Sequence, residues 1–232
     1  MKHASQNNIA QNINAIRAQI KDAEKKYSRQ PGSVQLLAVS KTRPIEDIQA
    51  AFSQNQLHFG ENYLQDALSK IENSPDQSLE WHFIGPIQSN KTRQIAENFS
   101  WVHTIERLKI AQRLSEQRDP ELKPLNICIQ INTSGENSKS GIDIENALSF
   151  AQSINALPNL KLRGLMTIPA PTDNFEQQRQ PFSLLRNLKD ELQSHNIELD
   201  TLSMGMTNDM EAAIAEGSTI VRIGTAIFGE RN

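Results

Sequence analysis

Three stretches of the sequence hold side chains that can do chemistry. In "QLLAVSKTRPIED" the apolar run Leu36-Leu37-Ala38-Val39 ends just before Lys41. Such a run reads as a buried strand. Pro44, with Glu46 and Asp47 behind it, reads as a helix start with carboxylates where the dipole favours them. A lysine at that junction is either a solvated loop cation or an amine at the mouth of a pocket. Burial or a nearby cation would make it a nucleophile towards a carbonyl carbon. The other two stretches are "TLSMGM", with Ser203, and "VRIGT", with Arg222, Gly224 and Thr225. Glycine beside a hydroxyl residue lets backbone N–H groups close on an anion, so Ser203, Gly224 and Thr225 suit a phosphate. On residue types alone, ordinary turns explain them equally well. Asp209, whose carboxylate would repel phosphate, reads as a helix N-cap. A lysine and a phosphate subsite together suit a Schiff base with a phosphorylated carbonyl compound.

These groups meet only if the chain brings them to one place. Eight apolar segments read as strands: "QLLAVS", "LHFGE", "WHFIG", "WVHTI", "NICIQINT", "LRGLMTI", "TLSMG" and "TIVRIG". Helical patterns lie between them, including "PIEDIQAAFSQ", "NKTRQIAENF", "IENALSFAQSINAL" and "FSLLRNLKDELQSH". Ile9, Ile13, Ile16 and Ile20 recur at helical spacing, giving one more helix within residues 1–30 ahead of the first strand. Strand followed by helix, repeated, predicts an α/β fold: a (β/α)8 TIM barrel with an extra N-terminal helix, as a single domain over residues 1–232. An open doubly wound sheet usually shows a glycine-rich turn after its first strand, and here that turn reads "SKTRP". A barrel's active site lies at the C-terminal ends of its strands. That rule gathers Lys41, Asn62, His82, Asn132, Met166, Ser203, Arg222, Gly224 and Thr225 as candidates.

The bulk properties narrow the classes. The chain is 37% hydrophobic and 22% charged, with a formal net charge of −3, which gives no general attraction to nucleic acid or an anionic membrane. One cysteine, Cys128, lies in the apolar "LNICIQI" and reads as a small buried hydrophobe. The polar start lacks the apolar core of a signal peptide, and a cytoplasmic protein is the expectation. No metal ligands are assigned.

Taken in order, "LLAVSKTRP", "HFGENYLQD", "WHFIGPIQSNK", "GLMTI" and "SMGMTNDMEAAIAEGSTIVRIGTAIFG" resemble the pyridoxal phosphate (PLP) homeostasis protein family. These are single-domain relatives of the N-terminal barrel of alanine racemase. The resemblance implies that Lys41 carries PLP as a Schiff base, that Ser203, Gly224 and Thr225 take the phosphate, and that Arg222 faces the pyridine nitrogen. It places Asn62, His82 and Met166 in the pocket lining. It also implies PLP homeostasis inside the cell, with PLP-dependent apoenzymes as recipients. Lys139, in the polar "SGENSKSG" loop, is the rival amine.

Carrier and racemase are the two readings to separate. A racemase needs a second acid/base facing Lys41. In the resembling racemase a tyrosine from a C-terminal β-domain of a partner subunit serves. Here the tyrosines are Tyr27, read as lying in the first helix, and Tyr63, read as a helix-packing residue. His82 is the one histidine read as a titrating partner. Arg222 keeps its protons and makes the ring a poorer electron sink. The expectation is a monomeric carrier, not an enzyme. A Schiff-base aldolase acting on a sugar phosphate is a third reading, with Glu61 as its only strand-end carboxylate.

Overall fold

The computed structural model describes residues 6–135 and 140–230, so Lys139 and His3 lie outside the described residues. The strands are β1 (Gln35–Val39), β2 (His58–Glu61), β3 (Glu80–Phe83), β4 (Trp101–Ile105), β5 (Leu125–Gln130), β6 (Leu160–Met166), β7 (Thr201–Ser203) and β8 (Ile220–Ile223). They pair in parallel in sequence order, and β8 returns to β1 to close the barrel. The helices are α1 (Gln6–Lys26), α2 (Ile45–Phe52), α3 (Leu64–Glu72), α4 (Thr92–Asn98), α5 (Leu108–Gln117), α6 (Ala147–Asn155), α7 (Phe175–Ser194), α8 (Met210–Ala215) and α9 (Thr225–Phe228). No helix among the described residues is long and apolar enough to cross a membrane.

Helix α1 buries Ile9, Ile13, Ile16 and Ile20 against α2, α8 and α9. Polar bonds fix its seat, because Asn12 donates to the Ile227 carbonyl at 2.8 Å and Glu24 accepts the amides of Gly32 and Val34. Two element limits differ from the sequence reading. Tyr27 lies just beyond the end of α1. Helix α7 begins at Phe175, not at Phe182, and runs through Pro181. An interior proline costs about 3 kcal/mol. The Asn174 side chain, which accepts the Gln177 amide, and the buried face of Phe182, Leu185, Leu188 and Leu192 offset that cost.

Side chains on a strand alternate between faces, so the register separates those inside the barrel from those beneath the helices. Phe59, Val102, Ile127 and Leu165 belong to the layer shared with the helices. The inside holds Trp101, Cys128 and Met166 as an apolar cluster of its own. Beside that cluster runs a polar line. His58 Nδ1 lies 3.2 Å from His82 Nε2, and His82 Nδ1 lies 2.9 Å from His103 Nε2. His103 Nδ1 then lies 2.8 Å from Ser203 Oγ. His58 opens β2 and Ser203 closes β7, so the line runs from the N-terminal pole to the C-terminal mouth.

Burial dominates the protonation of these rings. His82 is pushed well below its usual value by desolvation, then by the neighbouring His103 and His58. His103 is lowered to about 3 by desolvation, with a smaller effect from Arg222. A histidine with a lowered folded pKa stabilises the fold above its unfolded value, and that stability is lost as pH falls towards the folded value. For His103 the window runs from 6.5 down to about 3. The unfolding free energy from urea denaturation is expected to fall with acidification below pH ~6.5, by at most about 1.4 kcal/mol per pH unit for each such histidine. The slope should be shallower in His103→Gln. An unchanged slope in that variant would show that His103 is not held neutral.

Candidate functional site

Lys41 is partly buried and sits two residues beyond the end of β1, in a turn closed by the Arg43 amide on the Ser40 carbonyl at 3.0 Å. Thr42, the next residue, has φ +63°. A β-branched residue rarely enters that region, and such strain persists only where the surroundings impose it. Asp66 supplies part of the restraint, since its carboxylate accepts the Thr42 amide at 3.1 Å. Lys70 supplies the rest. Its Nζ donates to the Ser40 carbonyl, Glu61 Oε1 and Asp66 Oδ2, each at 2.8 Å. Glu61 Oε1 also accepts the Ser40 hydroxyl at 2.6 Å. The residues on both sides of Lys41 are therefore anchored to one buried cluster.

That cluster changes the reading of Glu61. Desolvation raises its pKa, and Lys70 and Ser40 pull it back. Its Oε1, taken by Ser40 and Lys70, anchors the turn, while Oε2 is buried without a hydrogen-bond partner among the described residues. Sequence reasoning missed Lys70 and Asp66 as site residues. Their i,i+4 spacing on α3 was a legible signal, but only the strand register brings them under Ser40.

The β8–α9 step lies beside β1. A Cβ on Gly224 would stand 3.2 Å from the Val39 carbonyl oxygen, so glycine allows the two strands to close next to the Lys41 turn. Gly224 is the N-cap residue of α9, and Thr225, its first residue, is exposed. The preceding β7–α8 turn depends on Gly205, at φ +98°, where a Cβ would meet that of Ala213 at 2.6 Å. Asp209 is the N-cap residue of α8, as read, but its carboxylate accepts the Met206 amide and so closes the turn itself.

Ser203 and Arg222 point into the barrel. Arg222 donates to the Ser203 carbonyl at 2.6 Å, to Ser203 Oγ at 2.9 Å and to the Thr167 carbonyl at 2.9 Å. These bonds use three of the five N–H donors of a guanidinium. Burial lowers Arg222 to about 10, partly offset by Asp209 and Cys128, so it remains charged at neutral pH. Ser203 is fully buried, and its hydroxyl is engaged by His103 and Arg222. The sequence placed that hydroxyl on a phosphate, whereas the structure places it under the guanidinium.

Asn62 follows β2 at the mouth, and its buried Oδ1 has no hydrogen-bond partner among the described residues. Asn132 closes the turn after β5 by accepting from the Ser134 amide and hydroxyl. Two expectations need correction, those for His82 and Tyr63. His82 lies within β3, fully buried and stacked on Trp101, because the alternation of the strand turns its ring into the barrel; it is not a titrating group at the rim. Met166 closes β6, is 1% exposed and packs with Trp101 and Cys128 inside the barrel. Tyr63 does not pack on its helix; it is the N-cap residue of α3 and 54% exposed. Tyr27 donates to Glu211 on α8 and stacks on Phe175 of α7. Cys128 is buried and its thiol is pushed up to about 12, as suits an inert core residue.

Removing one partner of a buried ion pair strands the other charge and costs about 3–5 kcal/mol. Lys70→Met is expected to lose that much in urea unfolding, because Glu61 would stay buried without its cation. The double change Lys70→Met with Glu61→Gln should recover part of the loss, since it removes both charges. Equal losses in the single and double variants would show that the pair does not brace the turn.

Comparison with known proteins identifies the fold's relatives. Residues 11–232 match the family model for the alanine racemase N-terminal domain. The chain is 57% identical over 228 residues to the pyridoxal phosphate homeostasis protein of Vibrio alginolyticus, covering 97% of this chain and 98% of that one. PipY of Synechococcus elongatus, in its structure with PLP bound, superposes with a TM-score of 0.83 at 33% identity, over 95% of this chain and 100% of that one. Alanine racemase from Corynebacterium glutamicum shares the fold at 17% identity, with a TM-score of 0.72 over 96% of this chain and 60% of its own. This chain belongs to the pyridoxal phosphate homeostasis protein family, within the wider group built on the alanine racemase N-terminal barrel.

Proposed function

We propose that this chain binds PLP at the C-terminal mouth of its barrel, with Lys41 as the Schiff-base lysine, and takes part in PLP homeostasis by holding the cofactor and handing it on to PLP-dependent apoenzymes. The observation that carries this reading is the anchored turn. Lys41 stands between Ser40 and Thr42, both tied to the Lys70–Glu61–Asp66 cluster, and next to the Gly224 step. A nucleophile that must meet one carbonyl carbon gains from a fixed approach. The PLP-bound structure of PipY, of the same fold, supports the choice of cofactor.

The residues of the mouth fit the group. Gly224 and the exposed Thr225 suit its phosphate, and the unpartnered Asn62 Oδ1 suits a ligand donor. Arg222 approaches from below, braced by Ser203, to address the ring nitrogen. Ser203 thus acts by positioning Arg222 and not as a phosphate contact. PLP bound to an amino acid supplies an electron sink for carbanion chemistry. Arg222, charged and donating, cannot give the ring nitrogen a full proton at neutral pH, which weakens that sink.

A carrier role accords with the acid/base inventory. His58, His82 and His103 belong to the interior line, and His195 follows the outer helix α7. Tyr63, just after β2, is exposed, and the Tyr27 hydroxyl is engaged by Glu211. The test begins with the visible spectrum of the purified protein and PLP, followed by borohydride reduction and peptide mapping. Covalent label on Lys41, absent in Lys41→Ala, is the expected result. Label on Lys139 instead, or no label, would overturn the assignment. Alanine racemisation should stay at background, and activity that disappears in both Lys41→Ala and Tyr63→Phe would make the protein an enzyme.

A further inference from the structure

The far end of the barrel carries a cluster that cofactor binding does not use. His58 and Glu80 are the first residues of β2 and β3 and face each other in register, with His82 two residues further along β3. Glu80 Oε2 lies 3.6 Å from His58 Nδ1, beyond hydrogen-bond length, and His82 Nε2 lies 3.2 Å from that same nitrogen. All three ligand atoms fall within 4.8 Å of one another. A carboxylate and two imidazoles thus converge on one point, with the His58 nitrogen between the other two groups.

We infer that His58, Glu80 and His82 form a binding site for a divalent transition-metal ion of the zinc class at the N-terminal pole of the barrel. Two imidazoles and a carboxylate are a zinc donor set. With bonds of about 2.0–2.1 Å, tetrahedral ligands stand about 3.3 Å apart, and the observed 3.2 and 3.6 Å bracket that edge. The second shell is in place, because His82 holds its other nitrogen 2.9 Å from His103 Nε2. Metal-ligating histidines are held by a hydrogen bond from their other ring nitrogen, commonly to a carboxylate, carbonyl or water, and here an imidazole takes that place. A cavity of about 610 Å³, lined by His58 together with Glu24, Gln56 and Arg17, borders the cluster on the His58 side. The side chains of His58 and Glu80 are 27% and 47% exposed, which leaves room for water as the fourth ligand.

Ligation would order the interior line. With the ion on Nε2, His82 carries its proton on Nδ1 and donates to His103 Nε2. His103 then donates from Nδ1 to Ser203 Oγ, which already accepts from Arg222. An ion at one pole would thereby fix the hydrogen-bond direction beneath the guanidinium at the other. The site stands or falls independently of the PLP reading.

The test is isothermal titration of untagged, chelator-treated full-length protein with Zn²⁺, repeated with Co²⁺ for its visible tetrahedral bands. One ion per chain is expected, with affinity reduced by more than about tenfold in His58→Gln and in Glu80→Gln. His195→Gln, at an exposed outer position, should bind as the parent does. Imidazole ¹⁵N spectra should show His103 protonated on Nδ1 once zinc is added. Circular dichroism separates misfolding from loss of ligands, and both substituted positions are partly exposed. No binding, or binding equal in the parent, His58→Gln and Glu80→Gln, would overturn the inference.

Discussion

A guanidinium buried on the barrel axis sets the terms for the residues around it. Arg222 cannot keep its hydration there, and an unpaired buried charge is among the most costly features a fold can hold. Its bonds therefore go to the Ser203 carbonyl, the Ser203 hydroxyl and the Thr167 carbonyl, which ties β8 to the ends of β7 and β6. Ser203 must in turn be held, and His103, His82 and His58 follow in sequence down the axis. The interior of such a barrel is usually layered with branched aliphatics. Here part of that volume is a polar line, kept tolerable because each ring nitrogen that points along it has a neighbour. Trp101 covers its flank, stacked on His82 with centroids 5.4 Å apart, while Arg163 caps the indole at 4.8 Å.

A second buried charge governs the mouth. Lys70 pairs with both Glu61 and Asp66 and at the same time grips the Ser40 carbonyl. The cluster lies under the turn that presents Lys41, and it sustains the left-handed Thr42 that the turn requires. Buried ion pairs are weak sources of net stability but strong sources of geometry. Both features follow one logic: a buried charge satisfied by backbone carbonyls fixes the strand ends that supply them. The mouth is thereby framed by Arg222 from within and by Lys70 from beneath.

The sequence by itself determined the architecture and much of the mouth. Alternation of apolar runs with helical patterns predicted eight strands, and all eight form, because a strand buried on both faces needs an apolar run wherever it sits in the barrel. It placed Lys41, Asn62 and Gly224 at strand ends, since position relative to a strand is a local property. It failed on which way side chains face. His82 was read as a titrating group at the rim and Ser203 as a phosphate contact, yet the period-2 alternation turns both side chains into the barrel, where each lies within reach of His103. Lys70, Asp66 and the meeting of His58 with Glu80 were invisible for a related reason. Their partners lie across strands or on the next helix, and only closure of the barrel sets that register. Local pattern fixes where an element lies along the chain; which polar groups share a buried space is decided by packing, because the cost of leaving one unpaired exists only once water has been removed.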